Sequence, residues 1–308
     1  MNLLFSFLVF PGFLFTAVAG CLASWIDRKV TARVQWRVGP PILQPLYDLV
    51  KLSGKETIVP RGGARLTFLA TPIVALSAIT LVSTLIWRVL LSPQTTFLGD
   101  LIVVIYLLTI PSIALIISGA ASANPLASLG ASREMKLILG YELPFILAIF
   151  VPVIKANGII RLGELLAWQR TNHIFLGSLS GFIAFIVVIL CMQAKLGLVP
   201  FDAPEAETEI IAGPYIEYSG TPLALYKLTH WMMLFVIPMF LVVVFMGGIN
   251  FSGWHLFLGI LKYVLLLVII VLIRNTNPRL RIDQAMKFFW GPVTGLAILA
   301  VILAFIGI

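Results

Sequence analysis

Eight apolar runs, at about 3–24, 67–91, 101–121, 135–154, 174–196, 224–248, 256–273 and 289–308, take up most of this 308-residue chain. About 20 apolar residues in a row is the length that carries a helix through the hydrocarbon of a bilayer. There each backbone N–H and C=O must be satisfied within the segment, which leaves helices or closed barrels. The sequence therefore predicts an all-α integral membrane protein: one membrane domain over residues 1–308 with eight transmembrane helices. With 60% hydrophobic and 11% charged residues and a mean hydropathy of +1.06, a soluble globular chain is excluded. Pro111, Pro144, Pro152 and Pro238 interrupt several runs, where a bundle tolerates kinks. VAGC at 18–21 resembles a lipoprotein cleavage box, but the first basic residue is Arg28, so the first run reads as a retained span. No internal repeat is seen, which weighs against an inverted-repeat transporter.

The net charge of +8 invites comparison with nucleic-acid binders, yet the basic residues are confined to the loops between apolar runs. Sixteen of the 21 Lys/Arg follow the first, third, fifth and seventh runs, and four lie on the opposite side. By the positive-inside rule these odd-numbered loops face the cytoplasm and both termini face out, in the cell membrane. The first loop, 25–66, is the most basic and includes Arg28, Arg33, Arg37 and Lys51. After a Gly/Pro break, residues of about 43–54 put Leu43, Leu46, Leu49 and Val50 on one side of a short helix, with Asp48, Lys51 and Lys55 elsewhere. Such an amphipathic helix lies on a membrane surface or docks a partner.

The fifth loop carries VPFDAPEAETEIIAGPYIEYSG, 199–220, with Asp202, Glu205, Glu207, Glu209 and Glu217: five of the chain's 13 acids, and no cation between Lys195 and Lys227. Carboxylates beside hydrocarbon face a bundle interior or a watered cavity, and often mark an ion or proton path. If the segment is helical from Ala203, Glu205 and Glu209 stand one turn apart on one face and titrate as a pair. Asp202 and Glu205 also fit a D-x-x-E capping box with Pro204 in the first turn, so cap and proton site both remain open for those two. Glu142 falls about two turns deeper in its run than Arg133 and Glu134, whose ordinary reading is a surface ion pair. An acid at that depth reads as a proton site. Lys262 lies about two turns into its run and reads equally as a path residue or as a snorkelling cation. Tyr141, Tyr215 and Tyr218 either extend a hydrogen-bonded chain or sit as interfacial aromatics.

Cys21 and Cys191 lie far apart in apolar runs, the three histidines are scattered, and there is no dinucleotide fingerprint or phosphate loop. The chain is expected to hold no metal, no redox cofactor and no active site of its own.

Three segments carry a family resemblance: ARVQWRVGPPILQPLYDLVKLSGKE at 32–56, GASREMKLILGYE at 130–142 and PFDAPEAETEIIAGPYIEYSG at 200–220. They resemble the eight-helix membrane subunit that joins the peripheral and membrane arms of respiratory complex I. The match is closest to its counterpart in membrane-bound energy-converting nickel–iron hydrogenases. The resemblance implies a non-redox subunit of an ion-translocating oxidoreductase complex. It anchors the electron-transfer module and couples electron transfer to proton or sodium translocation through buried glutamates. It implies a proton path through Glu142, Asp202, Glu205, Glu207, Glu209 and Glu217, to which Lys262 is added from its depth in the chain. It implies docking of the peripheral arm at Arg28, Arg33, Arg37, Arg133 and Glu134, with Asp48 and Lys51 on the adjoining helix.

The expected partners are hydrogenase-like large and small subunits, a ferredoxin-like iron–sulfur subunit, antiporter-like membrane subunits, the lipid bilayer, and ferredoxin as electron donor; nucleic acid is not among them. Iron–sulfur clusters and a NiFe centre belong to those partners. One departure discriminates: RVGP runs straight into PILQP, where quinone-reducing members have a longer loop with a second such unit. The shorter form points to a hydrogenase-type complex. A complex I-type quinone reductase, a sulfur-reducing relative, a self-sufficient ion transporter and a purely structural anchor whose acids serve only assembly are the alternatives.

Overall fold

Proline and glycine punctuate the apolar runs where the chain bends. The computed structural model describes residues 3–95, 97–251 and 253–307, and every regular element among them is helical. The first run holds α1 (Leu3–Leu8) and α2 (Phe13–Val34). They are separated at Pro11, which lacks an N–H, and at Gly12, where a Cβ would collide with the Phe7 carbonyl. The basic loop holds α3 (Gln44–Ser53) and leads to α4 (Arg65–Leu91). The third run is broken into α5 (Asp100–Leu107) and α6 (Ile110–Ala121) just ahead of Pro111, whose ring crowds the carbonyl four residues back.

α7 (Pro125–Lys155) begins ten residues before the expected fourth span, because Asn124 Oδ1 accepts the Leu126 N–H at 2.9 Å and Pro125 takes the first helical position. α8 (Leu162–Thr171) is short. α9 (Leu179–Lys195) is shorter than the run that predicted it, since 175–177 forms a 3₁₀ turn and Ser178 caps the helix at Gly181. After α10 (Glu207–Ile210) come α11 (Gly220–Phe245), α12 (Trp254–Thr276), α13 (Ile282–Phe288) and α14 (Thr294–Ile306), the last two joined through a π-helical turn at Phe289–Val293 that contains Pro292.

Seven helical segments among the described residues are long and apolar enough to cross a membrane, against the eight expected; α9 is apolar but only 17 residues long. α11 is the central one. It is 94% buried over its apolar window, against 22% for the first segment and 28% for α12, and it packs on α2 and α4. α7 packs on α6, α9 and α14 around a second axis.

One end of the bundle collects most of the charge. There the Ala64 N–H bonds Ala121 O at 3.0 Å, the Ile58 N–H bonds Ser219 Oγ at 3.0 Å, and the Leu280 N–H bonds Pro200 O at 2.9 Å. These contacts tie the loops before α4, after α9 and after α12 into one cap. α3 is pinned to this end by Arg28–Asp48 at 2.7 Å, with Gln44 donating to the other Asp48 oxygen at 3.0 Å. Burial alone would raise the Asp48 carboxyl, but the Arg28 and Gln44 hydrogen bonds and the charges of Arg28 and Lys227 hold it below the usual carboxylate value. Leu43, Leu46 and Val50 of this helix are left exposed, whereas Leu49 packs inward.

Candidate functional site

The acidic loop is not one helix. A 3₁₀ turn at Ala203–Glu205 ends at Ala206, whose ψ of 96° is not helical, and α10 then starts on a new axis. The pairing expected of Glu205 and Glu209 is therefore lost: Glu205 turns into the bundle, while Glu209 turns out and pairs with Arg133. Arg133 also donates to Ala203 O at 3.2 Å, bolting the loop to α7. The capping-box reading fails as well. The Asp202 side chain makes no cap bond; its two oxygens take Arg279 Nε at 2.8 Å and Nη2 at 2.5 Å. A paired, fork-like contact to a guanidinium wins over a single backbone N–H.

Against this loop lies a cleft of about 720 Å³ between α2, α11 and the end of α12. Asp27, Arg28, Asp202, Glu205, Arg274 and Arg279 face it. Asp27 and Arg274 are paired across it, Nη1 lying 3.0 and 2.8 Å from the two carboxylate oxygens. Glu207 is exposed at the rim. A second cavity of about 440 Å³ opens beside it through Tyr215, Leu223 and Lys227. A small inner cavity of about 40 Å³, lined by Glu134, Lys195, Tyr215 and Tyr226 among others, lies beneath both.

Glu205 lines all three spaces. Burial, then the charges of Glu134 and Asp202, push its carboxyl up to about 8, against the pull of Arg274 and Arg279. Burial chiefly, and the nearby Glu205 charge, also raise the Tyr215 phenol well above its ordinary value.

Beneath the loop, Glu134 departs from its expected place. Neighbouring helical residues point about 100° apart, so while Arg133 faces the loop, Glu134 faces inward and is 5% exposed. It meets Ser112 of α6 there and forms no surface pair with Arg133. Further in, Lys195 Nζ stands 3.2 Å from Glu142 Oε2, with none of the lysine side chain exposed and 18% of the glutamate side chain. The ammonium lies 5.3 Å from the Tyr141 ring and 4.9 Å from that of Phe145, within cation–π range. The other Glu142 oxygen is buried with no hydrogen-bond partner among the described residues.

The remaining expected positions lie elsewhere. Glu217 accepts the Asn124 amide at 2.6 Å, bracing the start of α7. Tyr218 stacks on Phe68 at 4.0 Å and donates to its carbonyl at 2.9 Å. Lys262 donates to Met246 O at 2.7 Å, at the opposite end of α11, about 40 Å of helix axis from the acidic loop. Arg33, Arg37 and Lys51 are exposed at the charged end, where Arg37 lines the large cleft. Among the described residues no cluster of three or more His, Cys, Asp and Glu is set to hold a metal.

Lys195, His230, Arg274 and Arg279 are the site residues that sequence reasoning passed over. Lys195 reads in sequence as a loop cation that ends a run, and nothing local reveals its partner 53 positions away.

A sequence profile described as NADH dehydrogenase matches residues 5–305. The chain belongs to this family. Relatives resemble the chain over most of its length. A subunit of the NADH-quinone oxidoreductase of Thermomicrobium roseum is 33% identical over 97% of this chain and 94% of its own length. The corresponding subunit from Dehalococcoides mccartyi is 32% identical over 90% of this chain and 79% of its own length. Among solved structures, a chain of the membrane-bound sulfane sulfur reductase, an archaeal respiratory membrane complex, superposes with a TM-score of 0.86. It is 30% identical and covers 95% of this chain and 96% of its own length. As a family member, the chain is a multi-pass membrane subunit of a complex I-like oxidoreductase assembly.

Proposed function

We propose that this subunit anchors a peripheral redox module at the charged end of the bundle and couples its chemistry to ion translocation across the membrane. The supporting observation is the succession of charge from the cleft inward: Asp202 and Glu205 at the loop, Glu134 in the inner cavity, then Lys195 paired with Glu142. Buried ionisable groups linked in this way change protonation together when a charge changes at one end. In this reading, reduction in the docked module shifts the proton on Glu205, the shift alters the Glu134–Lys195–Glu142 group, and Glu142 hands it to a neighbouring membrane subunit. Glu207 stands at the entrance. Glu209 and Glu217 brace the loop rather than carry protons, and Lys262 is outside the path. α9 completes an eighth crossing, with both termini outside.

Arg33, Arg37, Lys51 and the apolar face of α3 form the dock. The electron carriers, iron–sulfur clusters among them, lie in partner subunits, and ferredoxin is the donor to the complex. The similarity to the sulfane sulfur reductase, together with the short RVGPPILQP loop, supports a sulfur-compound acceptor over the hydrogenase-type assembly that the loop alone suggested. The similarity to the two quinone oxidoreductase subunits supports quinone as the second reading.

The test is to purify the whole complex through a tag on this chain, reconstitute it in liposomes, and measure ion uptake per electron with candidate acceptors. Glu142→Gln together with Lys195→Gln, which removes both members of the buried ion pair, should assemble and turn over without ion uptake. Wild-type uptake in that variant would refute the coupling role. Nickel in the purified complex would restore the hydrogenase reading.

A further inference from the structure

His230 on α11 lines the large cleft, the side cavity and the inner cavity, as Glu205 does. No other residue is common to the three. The two therefore stand where the outer cleft, the side opening and the inner cavity join. The His230 ring is half-buried, and neither nitrogen has a hydrogen-bond partner among the described residues. Without a protein partner, and not sealed from the surrounding space, the ring nitrogens are open to water in the cavities.

We propose that His230 is the relay between the cleft and the inner cavity, taking a proton on the Glu205 side at one ring nitrogen and releasing one towards Glu134 from the other. The inference rests on the coupling role proposed above and adds the group that joins its two halves. The step conserves atoms and charge: neutral Glu205 becomes carboxylate, the Glu134 carboxylate becomes neutral, and the imidazole passes through an imidazolium and returns in its other tautomer. The ring then resets by rotation or by exchange with water. The inner cavity has room for a water molecule, whose share of liquid volume is about 30 Å³, so the exchange needs no direct contact between the side chains.

An imidazole is suited to this place because its ordinary titration falls between about pH 5 and 8 and both its nitrogens work. The charges around it oppose one another. Asp27 and Arg28 of α2, Arg274 of α12, and Asp202 and Glu207 of the loop face it from the large cleft. Glu134 of α7, Lys195 of α9 and the Tyr215 phenol face it from the inner side, with Tyr226 and Lys227 on its own helix. From the cleft, Asp27 attracts the imidazolium and Arg274 repels it, so no single charge traps it.

The experiment uses the complete complex in liposomes, with ions translocated per electron followed from pH 5.5 to 8.5 in the wild type, His230→Gln, His230→Ala and the Glu142/Lys195 double variant. His230→Gln should assemble, lose at least tenfold in ion uptake, and lose the pH step of the wild type. Imidazole added to His230→Ala should restore a substantial part of the uptake, an effect that a packing role would not produce. Uptake and pH profile unchanged in His230→Gln, while the double variant is inactive, would overturn the relay and leave the coupling role standing. Normal uptake in the double variant would overturn both. Impaired uptake in His230→Ala that imidazole does not restore would assign the residue to structure.

Discussion

Lys195 Nζ and Glu142 Oε2 meet at 3.2 Å inside the bundle, one from the last turn of α9 and the other from the middle of α7. Each charge is tolerable there because of the other. Removing one member of a buried pair leaves an uncompensated charge and costs about 3–5 kcal/mol, whereas replacing both is far milder. Glu142→Leu alone should therefore lower the thermal stability of the complex and its yield. Adding Lys195→Met should recover most of that loss, while ion translocation stays absent in both. Stability and uptake returning together would show that Glu142 serves folding alone.

Glu205 gives the loop a defined pH response. Its carboxyl sits at about 8 in the folded protein, above the ordinary value of about 4.3. For an acid whose value is raised on folding, the folded state holds the proton more tightly than the unfolded chain. The resulting stabilisation is full at low pH and is lost as the pH climbs through the ordinary value and on to about 8. Glu205→Gln should accordingly stabilise the complex relative to wild type at pH 8.5 and show little difference at pH 4.5, as read by thermal unfolding of the detergent-solubilised complex. A difference that grows towards acid would contradict this placement.

Gly130 of α7 approaches the backbone of the acidic loop so closely that a Cβ there would lie 2.5 Å from Pro214 Cδ and 2.9 Å from Gly213 Cα. Gly130→Val should displace the loop, costing about 1–3 kcal/mol as overpacking does, and should speed its cleavage by protease. Gly177, whose Cβ position meets nothing within 4 Å, supplies the control: Gly177→Ala should be close to neutral in both measurements.

Trp36 is 98% exposed and holds a φ of 58°, a conformation that costs a non-glycine residue roughly 1–2 kcal/mol. A large aromatic kept in a strained, fully exposed position at the basic end is suited to a partner subunit. Trp36→Gly should leave the isolated subunit as stable as the wild type or slightly more so. It should also weaken retention of the peripheral module about tenfold during detergent purification. Undiminished retention would remove Trp36 from the dock.

Much of this architecture was legible because hydrophobic length and charge asymmetry are local properties. A run of about 20 apolar residues has one stable form in a bilayer, and Pro111 marks the break between α5 and α6 wherever the chain places them. The segment at 199–220 likewise announces itself, since five acids without a cation have no ordinary place beside hydrocarbon. Span lengths were less legible. The 3₁₀ turn that shortens α9 lies inside an apolar run and is set by Ser178 and by packing on α8.

What only the tertiary structure decided is which charges meet. Asp202 chose Arg279 over the helix start, Glu209 chose Arg133 over Glu205, and Glu134 turned inward while its neighbour turned out. The first two depend on partners 77 and 76 residues away in sequence, and the third on Ser112 of another helix, all brought close by helix crossings. By itself the sequence determined a helical membrane bundle with an acidic loop, because desolvation penalises every polar group the same way wherever it sits in the chain. The pairing of Lys195 with Glu142, and the placing of His230 at the junction of three cavities, are properties of distance and direction, which exist only once the helices have packed.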